Sequence, residues 1–212
     1  MTSTWARTVE IAPERLSGWL ARFAERHGTP TVVVSDDAVV LTCPDQAQAR
    51  IALRWGPLAI GDDPLAALVD AYQRARTVAA LIVRRRGHAV GLFQGATLVT
   101  GRHDHHYVQG RTKAGGWSQQ RYARRRDNQA RHAYAEAISD AADVLLPTAP
   151  WDALAVGGDQ VGIDQVLNDA RLAPLRDLPR IVVAGVPDPN AGVLNAFGER
   201  FRAAPISLNE LA

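Results

Sequence analysis

The apolar residues change period several times along the chain, and each change predicts an element. From Pro13 to His27, Leu16, Trp19, Leu20 and Phe23 recur at i, i+3, i+4 and i+7 behind a proline suited to a first helical turn, which predicts an amphipathic helix ended by Gly28. TVVVS and AVVLTC are β-branched runs joined through Asp36 and Asp37, the pattern of a hairpin, and ARIALRW supplies a third strand. A second helix is expected over about 62–75, opened by Asp62 and Asp63 ahead of Pro64. VAALIVRRR, HAVGLFQG and ATLVTGR follow as an antiparallel meander with turn signals at Gly87 and Gly95. HDHHYVQGRTKAGGW is too polar and glycine-rich for a strand in its middle. Behind it, Tyr122, Ala130, Ala133, Ala137, Ile138 and Ala141 fall near one stripe of a long helix from about Ser118 to Asp143, whose other side carries Arg121, Arg124, Arg125, Asn128 and Arg131.

The rest of the chain alternates: ALAVGGD as a strand, QVGIDQVLNDARLAP as a helix, RIVVAGVP as a strand and AGVLNAFGERF as a closing helix. A meander followed by β-α-β-α predicts an α/β or α+β fold, a mixed β-sheet flanked by helices. The expected organisation is one globular unit in which residues 1–78 add a helix and strands to residues 79–212.

Composition narrows the setting. No apolar run approaches the roughly 18 to 20 residues that span a bilayer, and the opening MTSTWARTVEIAPERL has no signal-like apolar core, so a cytoplasmic protein is expected. The single cysteine, Cys43, sits in an apolar stretch and is expected to pack. Net charge is only +2, but its distribution is uneven. Basic residues gather at Arg84, Arg85 and Arg86, and residues 111–132 hold seven arginines and lysines against one aspartate, whereas residues 136–169 carry acids and neither arginine nor lysine. Such polarity predicts one basic face for a phosphate-backbone partner.

Several chemistries drop out on spacing. His103, Asp104, His105 and His106 look like ligands, but neighbours on an extended segment point to opposite sides and no cysteine pair completes a shell, so no metal is expected. GGDQVG and GRTKAGG lack the P-loop spacing, and no G-x-G-x-x-G follows a first strand, so no nucleotide cofactor is expected. There is no G-x-S-x-G elbow, and Ser118 has no triad frame. What remains is a glycine-led tip with amide side chains ahead of an arginine face, a combination suited to reaching into a nucleic acid and doing chemistry at its end.

The stretch GGWSQQRYARRR resembles the signature of the middle, peptidyl-tRNA-hydrolysing domain of eukaryotic and archaeal class 1 release factors. Gly115, Gly116, Ser118, Arg121, Ala123, Arg124 and Arg126 fit that frame without a gap; HAVGLFQG resembles the middle strand of the meander before the loop, and ALAVGGD the strand behind the long helix. The similarity covers about residues 79–202. One departure stands out: Trp117 occupies the place of the catalytic glutamine, and glutamines come later, at Gln119 and Gln120. With Lys113 ahead of the glycines, the pattern is most similar to the Vms-like release factor (VLRF) family, in its actinobacterial branch.

The resemblance implies a release factor middle-domain-like (RNase H-like) fold with a protruding glycine-rich catalytic loop and a long basic helix. It implies a peptidyl-tRNA hydrolase, without cofactor, that frees nascent peptides on stalled or split large (50S) ribosomal subunits. Its partners would be peptidyl-tRNA and ribosomal RNA, with no membrane, and the protein would act as a monomer. The implied catalytic residues are Gln119 first, then Gln120, Gly115 and Gly116; those implied to bind RNA are Arg111, Lys113, Trp117, Arg121, Arg124, Arg125, Arg126 and Arg131. A chain of 212 residues dominated by this region leaves little space for a stop-codon-reading domain, so codon-independent action is expected. Two alternatives stay open: a tRNA 3′-end nuclease using His105 or His106 as acid or base, and a non-catalytic RNA-binding protein.

Overall fold

The computed structural model describes residues 5–59, 61–105 and 133–212, which form two compact units, one of residues 1–75 with 202–212 and one of residues 76–201. The first contains β1 (Arg7–Ile11), α1 (Pro13–His27), β2 (Thr31–Val34), β3 (Ala38–Thr42), β4 (Gln48–Ala52), α2 (Pro64–Gln73) and the last strand of the chain, β10 (Ala204–Leu208). Its sheet runs β1-β10-β4-β3-β2, antiparallel at every pairing. The expected periodicity is what packs it. Leu16, Leu20 and Phe23 of α1 are buried against Val39, Leu41, Ala49 and Ile51, alternate residues of β3 and β4, with Leu68 and Tyr72 of α2 in the same cluster. Asp63 caps α2 as its composition predicts, its side chain accepting from the N–H groups of Leu65 and Ala66 at 3.0 Å. Cys43 is 1 % exposed in this core, and burial pushes its thiol up.

The second unit contains β5 (Thr77–Arg84), β6 (Gly87–Gln94), β7 (Thr97–His105), α3 (described over 133–145), β8 (Ala153–Gly158), α4 (Gln160–Leu167), α5 (Ala173–Arg176), β9 (Arg180–Val183) and α6 (Ala191–Arg202). Its sheet runs β7-β6-β5-β8-β9, antiparallel on the β7 side of β5 and parallel on the β9 side, the mixed sheet that the pattern of elements implies. Helices cover both faces. Ala79, Leu81 and Val83 of β5, with Leu154 and Val156 of β8, pack on Ala137, Ala141 and Leu145 of α3 and on Ile163 and Val166 of α4. On the other face α6 comes so close that a Cβ built on Gly101 of β7 would lie 2.8 Å from Leu194 Cδ2.

Three expectations change on contact with the fold. β7 does not stop short of the histidines: it pairs with β6 from Thr97 opposite Gln94 to His105 opposite Gly87, because the backbone ladder extends an edge strand whatever its side chains. The helix expected over QVGIDQVLNDARLAP ends at Leu167, where Asp169 bonds the N–H of Arg171 at 3.0 Å and starts a 3₁₀ turn before α5. Two strands, β1 and β10, were not expected, and they pair with each other. The part of the long helix expected before residue 133 lies outside the described residues.

Candidate functional site

Three parallel strands, β5, β8 and β9, end at one edge of the mixed sheet, with Val83 opposite Gly158 and Gly157 opposite Val183. In open α/β sheets the crevice outside the carboxyl ends of the strands is where ligands bind. At this edge β7 also ends, since His105 faces Gly87 at the start of β6. On the return side, Tyr134 in the first described turn of α3 lies over α4, where a Cβ on Gly162 would be 3.0 Å from Tyr134 Cε1 and 2.9 Å from Val83 Cγ1. Burial first, then the Asp159 carboxylate, push the Tyr134 phenol up, partly offset by Arg85. Both limbs of the segment 106–132 are therefore rooted at the carboxyl edge of the parallel strands.

Every residue expected to act lies in that segment. Arg111, Lys113, Gly115, Gly116, Trp117, Gln119, Gln120, Arg121, Arg124, Arg125, Arg126 and Arg131 are all outside the described residues, as is His106. What the described residues supply is the frame. The glycines of GGDQVG belong to it: Gly158 has φ +107 and turns β8 into α4 so tightly that a Cβ would press into the Val83 carbonyl oxygen, which accepts from the Asp159 N–H at 2.7 Å. Asp159 then caps α4 through Val161 N–H. This motif makes a turn and a cap.

A polar clamp ties the two limbs together one layer below. His88 of β6 donates through Nε2 to Asp140 Oδ2 of α3 at 2.9 Å, and Arg102 of β7 donates from one Nη1 to Asp140 Oδ1 at 3.1 Å and Asp143 Oδ2 at 2.9 Å. Burial alone raises the Asp140 carboxyl, but hydrogen bonds from His88 and Arg102 and their charges outweigh it and hold the group below its ordinary range. A histidine beside an aspartate has the look of a catalytic pair. With His88 only 1 % exposed it fastens α3 to the strand leading into the segment and to that strand's neighbour, and has no access to a large substrate.

None of these four residues was singled out from the sequence. His88 carries a faint signal, a polar residue on the side of β6 that also presents Val90 to the core, but its partner stands 52 residues away with no spacing rule to join them. Of the histidine run, strand alternation puts His103 on the opposite side of β7 from Asp104, which pairs across to His88. Among the described residues no group of three or more His, Cys, Asp or Glu side chains is placed to hold a metal ion, and no helix is long and apolar enough to cross a membrane.

Electrostatically the edge is basic at the β5–β6 turn. Arg84 Nε lies 3.6 Å from Asp188 Oδ1 and Arg86 Nη1 3.9 Å from Asp188 Oδ2, and Arg85 is exposed beside them. An edge so arranged can hold a polyanion beside the segment that leaves it.

Comparison with known proteins gives distant structural likenesses. The crystal structure of the archaeal translation termination factor aRF1 is similar at 14 % identity and a TM-score of 0.40, over 89 % of this chain and 62 % of that one. A structure described only as an archaeal protein gives 14 % and 0.33, over 94 % and 68 %. Archaeoglobus fulgidus Pelota gives 11 % and 0.29, over 94 % and 63 %. The chain thus spans less than two thirds of the length of the archaeal termination factor. No curated protein matches the sequence. The family match is of another kind, because it runs through residues 76–207 and so takes in the whole mixed sheet, α3 and the glycine-led segment between them: the chain belongs to the Actinobacteria/chloroflexi VLRF1 release factor family.

Proposed function

We propose that this release factor is a peptidyl-tRNA hydrolase that frees nascent peptides on large ribosomal subunits without reading a stop codon. The observation that carries the reading is the family match across residues 76–207, which brackets GGWSQQR between β7 and α3. The ester between peptide and tRNA is already activated, so catalysis reduces to placing a water, excluding competitors and hydrogen-bonding the developing oxyanion. Gln119 suits that work because a neutral amide has both donor and acceptor, whereas the Trp117 indole has one donor, no acceptor and too much bulk. Trp117 stacks or packs instead. Gly115 and Gly116 let the backbone approach RNA, Arg111 and Lys113 pair with phosphates at the base of the loop, and Arg121, Arg124, Arg125, Arg126 and Arg131 bind ribosomal RNA. The terminal ribose hydroxyl of the tRNA relays the proton. No step of this chemistry contacts the codon.

The test is release of labelled peptide from isolated 50S subunits carrying peptidyl-tRNA. Free peptide with an intact tRNA 3′ end is expected; a shortened tRNA still attached to peptide would mean a nuclease, and neither product a binder. Gln119→Ala should lose release by about tenfold or more, the scale of one oriented transition-state contact, while subunit binding is kept, and Gln120→Ala should lose less. Near-wild-type release by both single variants and by the double variant would remove the glutamines from the mechanism.

A further inference from the structure

Three consecutive arginines stand at the β5–β6 turn, Arg84 half-buried at the end of β5 and Arg85 and Arg86 exposed in the two-residue connection. Asp188, in the loop after β9, pairs with Arg84 at 3.6 Å and Arg86 at 3.9 Å, both longer than a hydrogen bond. The three side chains are 40 %, 54 % and 41 % exposed for Arg84, Arg86 and Asp188, and ion pairs of that kind are weak and screened. A further carboxylate near the turn, Asp159, is engaged in capping α4. Asp188 thus holds two of the three guanidiniums, and holds them loosely.

The turn's position says what the excess charge is for. Gly87, directly after Arg86, pairs with His105, so the arginines flank the end of the strand from which residues 106–132, with their seven arginines and lysines, depart. Planar guanidinium forks match phosphate oxygens, and a second basic point beside the first extends a phosphate track across the same edge. We infer that Arg85 and Arg86 form a second RNA-phosphate contact, separate from the basic residues of 106–132, and that Asp188 is a counter-charge that holds Arg84 and Arg86 in place and limits the affinity. The inference rests on the large-subunit reading above, because that reading supplies the RNA.

Binding of the full chain to isolated 50S subunits, and to protein-free ribosomal RNA from them, is measured across a salt series, with peptide release scored separately. The double variant Arg85→Gln/Arg86→Gln should bind about fivefold or more weakly at low salt, with the slope of log K against log salt shallower by about 1 to 2. Asp188→Asn should do the reverse, binding a few-fold tighter with a steeper slope. Both variants should keep the wild-type melting curve. Unchanged affinity in the arginine variant, or weaker binding by Asp188→Asn, overturns the assignment. So does a loss seen with 50S subunits and not with protein-free RNA, since the partner is then an acidic protein surface. If wild-type protein binds yet releases no peptide, the hydrolase reading fails while the affinities still judge the arginines. If it does not bind at all, both fall.

Discussion

The first unit's sheet is antiparallel throughout and gathers α1 and α2 into one core; the second unit's sheet turns from antiparallel to parallel at β5 and is packed by helices on both faces. In an antiparallel sheet neighbouring ends alternate between starts and stops, so no single edge collects the carboxyl ends. Parallel strands need crossovers, and their carboxyl ends line up. In the second unit that alignment gives an edge holding the β5–β6 arginines, the Gly158 turn and both roots of the segment 106–132. Two sheets of five strands differ in what their edges can support, and the mixed one lies wholly within the match to the release factor family.

The sharpest way to break the comparison is at the turn only the parallel sheet needs. Gly158→Ala places a Cβ against the Val83 carbonyl oxygen at φ +107, where both strain and overlap oppose it. A loss of roughly 2 to 4 kcal/mol is expected, the sum of an unfavourable backbone conformation and overpacking. Native-state hydrogen exchange should show protection falling in β5, β8 and α4 while β3 and β4 keep theirs. Equal loss in both units would show that the two do not behave as separate compact bodies.

How much of this was legible beforehand differs between the units for a physical reason. The periodicity around Leu16, Leu20 and Phe23, the Asp63 cap and the hairpin through Asp36 and Asp37 are local signals, and each reappears in the fold. The meander and the alternation behind it were equally readable. β1 and β10 were not, because each is five residues long and gains its place by pairing with strands far off in the chain, Arg7 opposite Leu208 and Ile206 opposite Ile51. Ala204, Ile206 and Leu208 do alternate inward, but three apolar positions after a helix are a faint pattern. The site divides in the same way. Gly115, Gly116, Gln119 and the arginines stand out as a contiguous motif in the sequence and lie outside the described residues, whereas His88, Asp140, Arg102 and Asp143 converge from two strands and a helix, and only the fold assembles them.

That clamp offers a smaller break, also confined to the second unit. Asp140→Ala removes the carboxylate contact of buried His88 and one of the two that Arg102 makes, and should cost about 1 to 3 kcal/mol at neutral pH. Because the Asp140 carboxyl is held below its ordinary value of 3.8, the stability it contributes is fully present above that pH and is lost as pH falls through the lower folded value. Urea unfolding at neutral pH and near pH 3 should therefore show the gap between wild type and Asp140→Ala closing in acid. Asp140→Asn, which keeps an acceptor for Arg102, should fall between the two at neutral pH. A gap that does not change with pH would mean that the residue acts through packing, and the clamp would lose its electrostatic basis.

The first unit has its own buried polar anchor, and it responds at the other end of the pH scale. Tyr72 of α2 is 1 % exposed and donates its hydroxyl to the Ala52 carbonyl at the end of β4. Burial pushes its phenol up to about 12, with Arg54 pulling the other way. Since the folded value lies above the ordinary 10.0, the neutral phenol's contribution is fully present below pH 10 and is lost as pH climbs through about 12, the reverse of the Asp140 case. Tyr72→Phe keeps the ring in the core and leaves the Ala52 carbonyl without that donor, so the expected cost is only about 1 kcal/mol, the smallest effect of the three. Its signature lies in the titration. Phenolate absorbance of the wild type should include one tyrosine ionising well after the others, and the variant should lack it, together with part of the loss of stability between pH 10 and about pH 11.5. Tyr134 in the second unit is also shifted upward, so some alkaline loss persists in the variant. If wild type and Tyr72→Phe lose stability in parallel above pH 10, the hydroxyl is not what ties α2 to β4, and the contrast between the acid-sensitive Asp140 clamp and the alkali-sensitive Tyr72 anchor fails at its alkaline end.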